Sequence, residues 1–301
     1  MINKNDNMLL RIAQGDAYAI CIEYVDRSNN ELLFQQALKF ESYLSHPSYN
    51  KLPPGTYTDD CQMSLSVAET LIKKGLEATE DDYLYSFLSC FKRDERDGYS
   101  RKFQAILEQA NSVEELKLLL NTDSNRNGAA MRSVPLGIIK DPQDIIRVGK
   151  LQASTTHNTF NAKDSSVLVG LMSHYALYTN EPFKYLNEWL KDYNFFDFKT
   201  PWTGPVHNKK NDPKGLGVGI NTVHAVNTLL IEESTLMGMM RKIIEWGGDT
   251  DSVAAIAWGI GSTRYQNEEL PEFLERDLEV GNKYGPEYLK TIGKQLMELS
   301  L

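Results

Sequence analysis

The chain has 301 residues, 41% of them hydrophobic, and a formal net charge of −9. That is enough to bury a large core, and no Pro/Gly/Ser-rich linker divides the chain, so one domain over residues 1–301 is expected. The acidic excess argues against a nucleic-acid partner, and the lack of a membrane-length apolar run or signal peptide argues against a membrane and for the cytoplasm.

Residues 8 to 25 read as a helix with Leu9, Ile12, Ala13, Ala17, Ile20 and Tyr24 on one side. Asp16 and Glu23 lie two turns apart, on that mostly apolar face, where an acid is either paired or lines a site. Asp16 is read as structural, bonded to a neighbouring helix end. A helical pattern then breaks down at His46-Pro47, where the histidine reads as an exposed loop residue. The loop Pro53-Pro54-Gly55 delivers Thr58-Asp59-Asp60 to the start of a helix carrying Met63, Val67 and Leu71, which Gly75 ends. Asp81-Asp82 can cap a helix containing Tyr83, Phe87 and Cys90, followed by a charged stretch and Gly98-Tyr99-Ser100.

Asn127-Gly128-Ala129-Ala130 puts small residues at a helix start, which suits either an anion at free N–H groups or a close helix crossing. Arg132 is read as a structural ion-pair member, and Pro135 should kink this helix. Asp141-Pro142 opens the next helix, running to His157 behind Thr155-Thr156. His174 reads as a core histidine in an apolar helix. A turn-rich loop spans residues 194–219, and long loops inside compact domains are commonly functional. Asn221-Thr222-Val223-His224 should cap the helix after it. Lys209-Lys210 with Lys214, and Arg93, Arg96 and Arg101, read as solvated faces. Cys21, Cys61 and Cys90 have no metal-ligand or redox spacing and fit a reducing compartment.

Ser234 or Thr235 can cap a helix with Leu236, Met239, Met240, Ile243 and Ile244 at helical spacing, stopped by Gly247-Gly248. Residues 253–261, nearly all apolar and many small, read as a tightly packed central helix. Between them lies Asp249-Thr250-Asp251-Ser252. Asp251 or Ser252 could simply cap the helix, but the Thr58-Asp59-Asp60 cluster repeats the same chemistry at another helix start. Thr58, Asp59, Asp60, Asp249, Asp251 and Ser252 together offer enough hard oxygen donors for two divalent cations, Mg²⁺ or Mn²⁺. The fold expected is all-α, a compact single-domain orthogonal bundle of about a dozen helices with a dinuclear metal site at helix N-termini.

These motifs, in this order, resemble the ADP-ribosylglycohydrolase family from about Leu9 to Tyr265. Gly15-Asp16-Ala17 with Glu23, Asn127 to Arg132 with Pro135-Leu136-Gly137, and Thr156-His157 agree with it. Ser252 stands where the family usually has Thr, and Cys61 and Ala19 also depart from its pattern; none removes a carboxylate. The resemblance implies a metal-dependent hydrolase that cleaves the glycosidic bond between ADP-ribose and an acceptor, protein arginine first. It implies that Asp60 handles protons and that Glu23 sits beside the scissile bond, as the catalytic pair. Ser124, Asn127 and Gly128 would contact the diphosphate, His157 the ribose or metals, and Gly217 and Gly219 the ADP-ribose cleft. The competing readings are a non-catalytic ADP-ribose-binding or structural protein, and a hydrolase of a small ADP-ribose ester or nucleotide.

Overall fold

A computed structural model describes residues 2–193, 198–206, 212 and 215–301. Lys209, Lys210 and Lys214 lie outside the described residues. The chain begins with α1 (Met8–Ala19), a 3-10 turn at Ile20–Ile22, and α2 (Arg27–Ala37) under an Asp26 cap. After a loop come α3 (Asp59–Lys74), α4 (Glu80–Arg93), α5 (Arg101–Gln109) and α6 (Val113–Leu119). The short α7 (Gly128–Met131) leads through a 3-10 turn, Val134–Ile138, to α8 (Pro142–Ser154) and α9 (Phe160–Tyr178). The chain then forms α10 (Leu186–Lys191), α11 (Val218–Glu232), α12 (Leu236–Trp246), α13 (Thr250–Gly261), α14 (Phe273–Arg276) and α15 (Pro286–Met297). The fold is all-α: among the described residues the only β-type pairing is an isolated bridge between Val206 and Gly248. No helix among them is long and apolar enough to cross a membrane.

α13 is the axis of the molecule. Every one of its residues is buried, and it packs against α1, α9, α11 and α12. Small residues let α1 cross it closely. A Cβ on Gly15 would lie 2.7 Å from the Ala254 carbonyl oxygen, and one on Gly259 would lie 2.6 Å from Ile12 Cγ1. This crossing carries Asp16 and the end of α1 to the start of α13. α3 packs on α1, α4 and α15 with the predicted Met63, Val67 and Leu71 buried, and ends at Gly75, whose φ of 57° needs glycine. Thr235 caps α12 by accepting the Gly238 N–H, as its position suggests.

Several local expectations give way to the structure. The first helix stops at Ala19 rather than near Val25, because the chain must turn sharply enough to put Tyr24 at a φ of 51°. Glu23 therefore leaves the helical face that Asp16 occupies. Pro135 does not kink one helix but separates two, since its ring would clash with the carbonyl four residues back, at Met131, where α7 ends. Thr79, not Asp81-Asp82, caps α4, with Asp82 completing a capping box. α8 ends at Ser154, short of His157, and α11 starts at Val218, so Asn221 lies inside it rather than capping it.

Charged and polar residues differ as well. Arg96 is buried, stacked on Tyr57 and paired with Asp94 and Glu279, and Arg93 pairs with Glu69; neither belongs to a solvated face. Arg132 forms no ion pair among the described residues. Its guanidinium donates to Gln152 and Thr156 and lies over the Phe87 ring. His174 is a core histidine, bonded to the Ile139 carbonyl. All three cysteines are buried and unpaired.

Candidate functional site

The turn before α13 is pinned on both sides. Gly247 and Gly248 have φ of 68° and 83°, and a Cβ on Gly248 would lie 2.4 Å from the Val206 carbonyl oxygen. The Asp249 N–H donates to that oxygen at 3.0 Å, and the Tyr24 N–H donates to the Gly248 carbonyl at 2.8 Å. Asp249, rather than Asp251 or Ser252, occupies the N-cap position, and its side chain makes no capping bond. Instead its Oδ2 accepts from the Tyr24 phenol at 2.7 Å and from Asn127 Nδ2 at 3.1 Å.

The second acidic helix start is organised from α1. Asp16 Oδ2 accepts the N–H groups of Thr58 and Cys61 at 2.9 and 3.0 Å, and Oδ1 accepts the Thr58 hydroxyl at 2.9 Å. Asp16 thus caps α3 from a neighbouring helix, satisfying donors that the first turn leaves open. Gly98 packs on the same turn: a Cβ there would lie 2.6 Å from Thr58 Cβ. The adjacent Tyr99 is buried and donates to Gln62 at 2.6 Å, which makes it a packing residue.

The two helix starts meet. Asp16, Asp60 and Asp251 bring one carboxylate oxygen each within 4.8 Å of one another, as do Glu23, Asp249 and Asp251, so that Asp251 belongs to both groups. Burial pushes the Asp16 carboxyl up to about 7 and, with Asp249 beside it, Glu23 up to about 8. Burial, then neighbouring carboxylates, also raises Asp59, Asp60 and Asp251. Asp60 Oδ1 and Asp251 Oδ1 are buried without a hydrogen-bond partner. A buried carboxylate oxygen with no donor is costly unless a proton or a cation satisfies it. The all-oxygen donor sets of these groups suit a hard divalent cation. Ser252 is buried with its hydroxyl on Asp60, whereas Asp59 is half-buried and stands outside both groups.

Of the expected binding residues, Asn127 adjoins Asp249, and the others pack near Asn127 along the chain or among themselves. Asn127 reaches Asp249 and, at 3.3 Å, the Thr222 hydroxyl. Gly128 faces His157, where a Cβ would lie 2.7 Å from the ring Cε1. The His157 Nδ1 is bonded to the Thr156 hydroxyl at 2.8 Å, and burial, then Arg132, holds the ring down at about 3, hence neutral. The Ser124 hydroxyl accepts the Arg126 N–H at 3.2 Å, and its carbonyl accepts from Thr159 at 3.0 Å. A Cβ on Gly217 would lie 2.6 Å from Asn125 Cβ, and the Gly219 N–H donates to the Asn125 carbonyl at 3.1 Å. The Gly217 N–H is held by Asp212 at 2.9 Å. Gly217 therefore lets two loops touch and Gly219, in the first turn of α11, lets that helix approach Ser165 of α9, and both N–H groups are already engaged within the protein.

Three residues beside Glu23 carried no functional signal in the sequence. The Tyr49 phenol donates to Glu23 Oε2 at 2.6 Å, and Tyr24 bonds Asp249. His46, expected to be exposed, is buried: its ring stacks on Tyr49 at 3.8 Å and its Nε2 bonds the Glu23 carbonyl at 2.9 Å. These contacts come from the path of an irregular loop, which leaves no periodicity to read.

Comparison with known proteins adds a family. The model of the ADP-ribosylglycohydrolase family matches residues 7–300. The ADP-ribosylhydrolase ARH3 of Gallus gallus is 26% identical, over 86% of this chain and 85% of the relative. The ADP-ribosyl-dinitrogen reductase glycohydrolase of Rhodospirillum rubrum is 21% identical, over 87% of this chain and 85% of the relative. A solved structure titled ADP-ribosylglycohydrolase-related protein complex superposes with a TM-score of 0.73 at 21% identity, covering 98% of this chain and 97% of that one. That likeness shows the fold.

Proposed function

Because the chain belongs to the ADP-ribosylglycohydrolase family, we propose that it hydrolyses the glycosidic bond between ADP-ribose and a protein side chain, arginine first, using two divalent cations, Mg²⁺ or Mn²⁺. The observation that carries this reading is the pair of orphaned buried oxygens, Asp60 Oδ1 and Asp251 Oδ1, inside two carboxylate groups that share Asp251. Cations bound there would supply an activated water and a hold on the ribose hydroxyls.

The chain's own residues do the rest. Asp60, Asp249 and Asp251, with Thr58 and Ser252 beside them, would hold the cations, and Asp59, outside both groups, would face them from the rim. Cleavage at the anomeric carbon passes through an oxocarbenium-like centre, which a carboxylate-lined site stabilises. Asp60 takes the proton that the attacking water gives up. Glu23, at the half-buried edge of the second acidic group, faces the leaving group. With its carboxyl pushed up to about 8, Glu23 holds a proton that it can give to the leaving group. Ser124, Asn127, Gly128 and neutral His157 bind ribose and diphosphate, with Gly217 and Gly219 shaping the wall behind them.

Release of free ADP-ribose from ADP-ribosylated arginine peptides, serine peptides and O-acetyl-ADP-ribose, with Mg²⁺, with Mn²⁺ and with chelator, tests this directly. Cation-dependent release from the arginine peptide is expected. Release that survives chelation would sink the metal mechanism, and metal-dependent binding of ADP-ribose with no release from any substrate would make the protein a non-catalytic binder.

A further inference from the structure

Glu23 owes little of its orientation to regular structure. It follows the 3-10 turn with φ −55° and ψ 121°, and precedes Tyr24 in the left-handed region. A segment from elsewhere in the chain holds it at two points. His46 Nδ1 accepts the Ser48 N–H at 3.0 Å, which leaves the ring proton on Nε2 to donate to the Glu23 backbone carbonyl at 2.9 Å. The His46 ring lies flat on the Tyr49 ring, 3.8 Å between centroids and 16° between planes, and the Tyr49 phenol donates to Glu23 Oε2 at 2.6 Å. One short loop thus grips both the backbone and the carboxylate of a single residue. The loop residues between and beyond, Pro47, Ser48, Asn50 and Lys51, are exposed.

We propose that Tyr49 is a positioning residue for Glu23, and that His46 is the support that sets the Tyr49 ring. The phenol bond fixes the carboxylate in the rotation that brings one of its oxygens within 4.8 Å of Asp249 and Asp251. Without it, Glu23 swings toward solvent and its contribution on the leaving-group side is lost, while the wall that holds ribose and diphosphate is untouched. This rests on the reading of Glu23 as a leaving-group residue given above.

The test is a double-mutant cycle on the metal-loaded protein with the ADP-ribosylated arginine peptide. Tyr49→Phe keeps the stacked ring and removes only the hydroxyl. It should lower kcat on the order of tenfold, part of what a positioned acid or base contributes, with KM and calorimetric ADP-ribose affinity unchanged. In the Glu23→Gln background, Tyr49→Phe should cause no further loss. Additive losses, or a fall in ADP-ribose affinity, would overturn the proposal by showing that Tyr49 acts on the fold or the substrate directly. His46→Ala should reproduce the kcat effect at smaller size, and no effect would remove its supporting role. A crystal structure of Tyr49→Phe should show the Glu23 carboxylate turned away from Asp249, and an unmoved Glu23 would overturn the positioning role even if the wild-type chain released no ADP-ribose. Absence of turnover by the wild type would count against the proposed activity alone.

Discussion

Asp251 is the residue on which the two acidic groups converge, and one of its oxygens is buried with nothing to bind it. Burial and the neighbouring carboxylates raise Asp251, so the metal-free fold must keep on it a proton that the unfolded chain releases, whereas Asp251→Asn puts there an amide of the same shape that does not titrate. The metal-free variant should therefore melt at a higher temperature than the metal-free wild type near neutral pH. With Mg²⁺, its release of ADP-ribose should fall at least about 100-fold, as expected for loss of a ligand rather than of a supporting residue. Retained release would identify Asp251 as a structural partner. The acids at the two helix starts were legible because charge inside an apolar pattern is conspicuous in sequence. His46 and Tyr49 were not legible, since their bonds to Glu23 depend on how a loop closes in space. Arg132 misled because a buried guanidinium suggests an acid, whereas here amide, hydroxyl and ring serve instead.

Among the elements, the crossing of α1 and α13 sets the site. Gly15→Ala would place a methyl 2.7 Å from the Ala254 carbonyl, so the helices must separate. Overpacking of this kind costs about 1–3 kcal/mol, readable by denaturant unfolding. Because Asp16 is the next residue and caps α3, the same change should also weaken Mn²⁺ binding measured by calorimetry; unchanged stability and binding would show that the crossing relaxes without strain. Helix ends were legible where one residue type has one local use: Gly75 and Gly247 at left-handed ends. They were left open or misread where several polar candidates stood close together, as at Ser234 and Thr235 or at Thr79, Asp81 and Asp82, or where a tertiary bond overrode the pattern. The Tyr24 N–H to Gly248 carbonyl bond ended α1 early, against an apolar periodicity that would have run on.

For the whole molecule the concentrated carboxylates make stability a function of pH and, under the proposed function, of metal. Burial raises Asp16 to about 7 and Glu23 to about 8 from ordinary values of 3.8 and 4.5. Above those ordinary values the unfolded chain has released protons that the native chain still holds. The stabilisation is complete below pH 4 as far as these groups go, and is lost as pH rises through 7 to 8. Metal-free protein should therefore melt at a lower temperature at pH 8 than at pH 5, and saturating Mg²⁺ or Mn²⁺ should flatten or reverse that slope. A chelator-insensitive, flat profile would show that the acids are already satisfied within the protein. The all-α class and the central helix were legible at this scale because apolar periodicity reports on burial. Which helices touch was not legible.

The pairing of α1 with α13 has a consequence for how the molecule is made. α1 leaves the ribosome well before α13, so the side of the first helix that α13 covers waits, uncovered, while the intervening helices are made. Contacts this distant along the chain form slowly and expose intermediates to aggregation. The carboxylates of Asp60 and Asp251 cannot face each other until that late docking is done. A metal bound between them would thus have nothing to organise during the early steps and would act on the finished fold, as a clasp closed last.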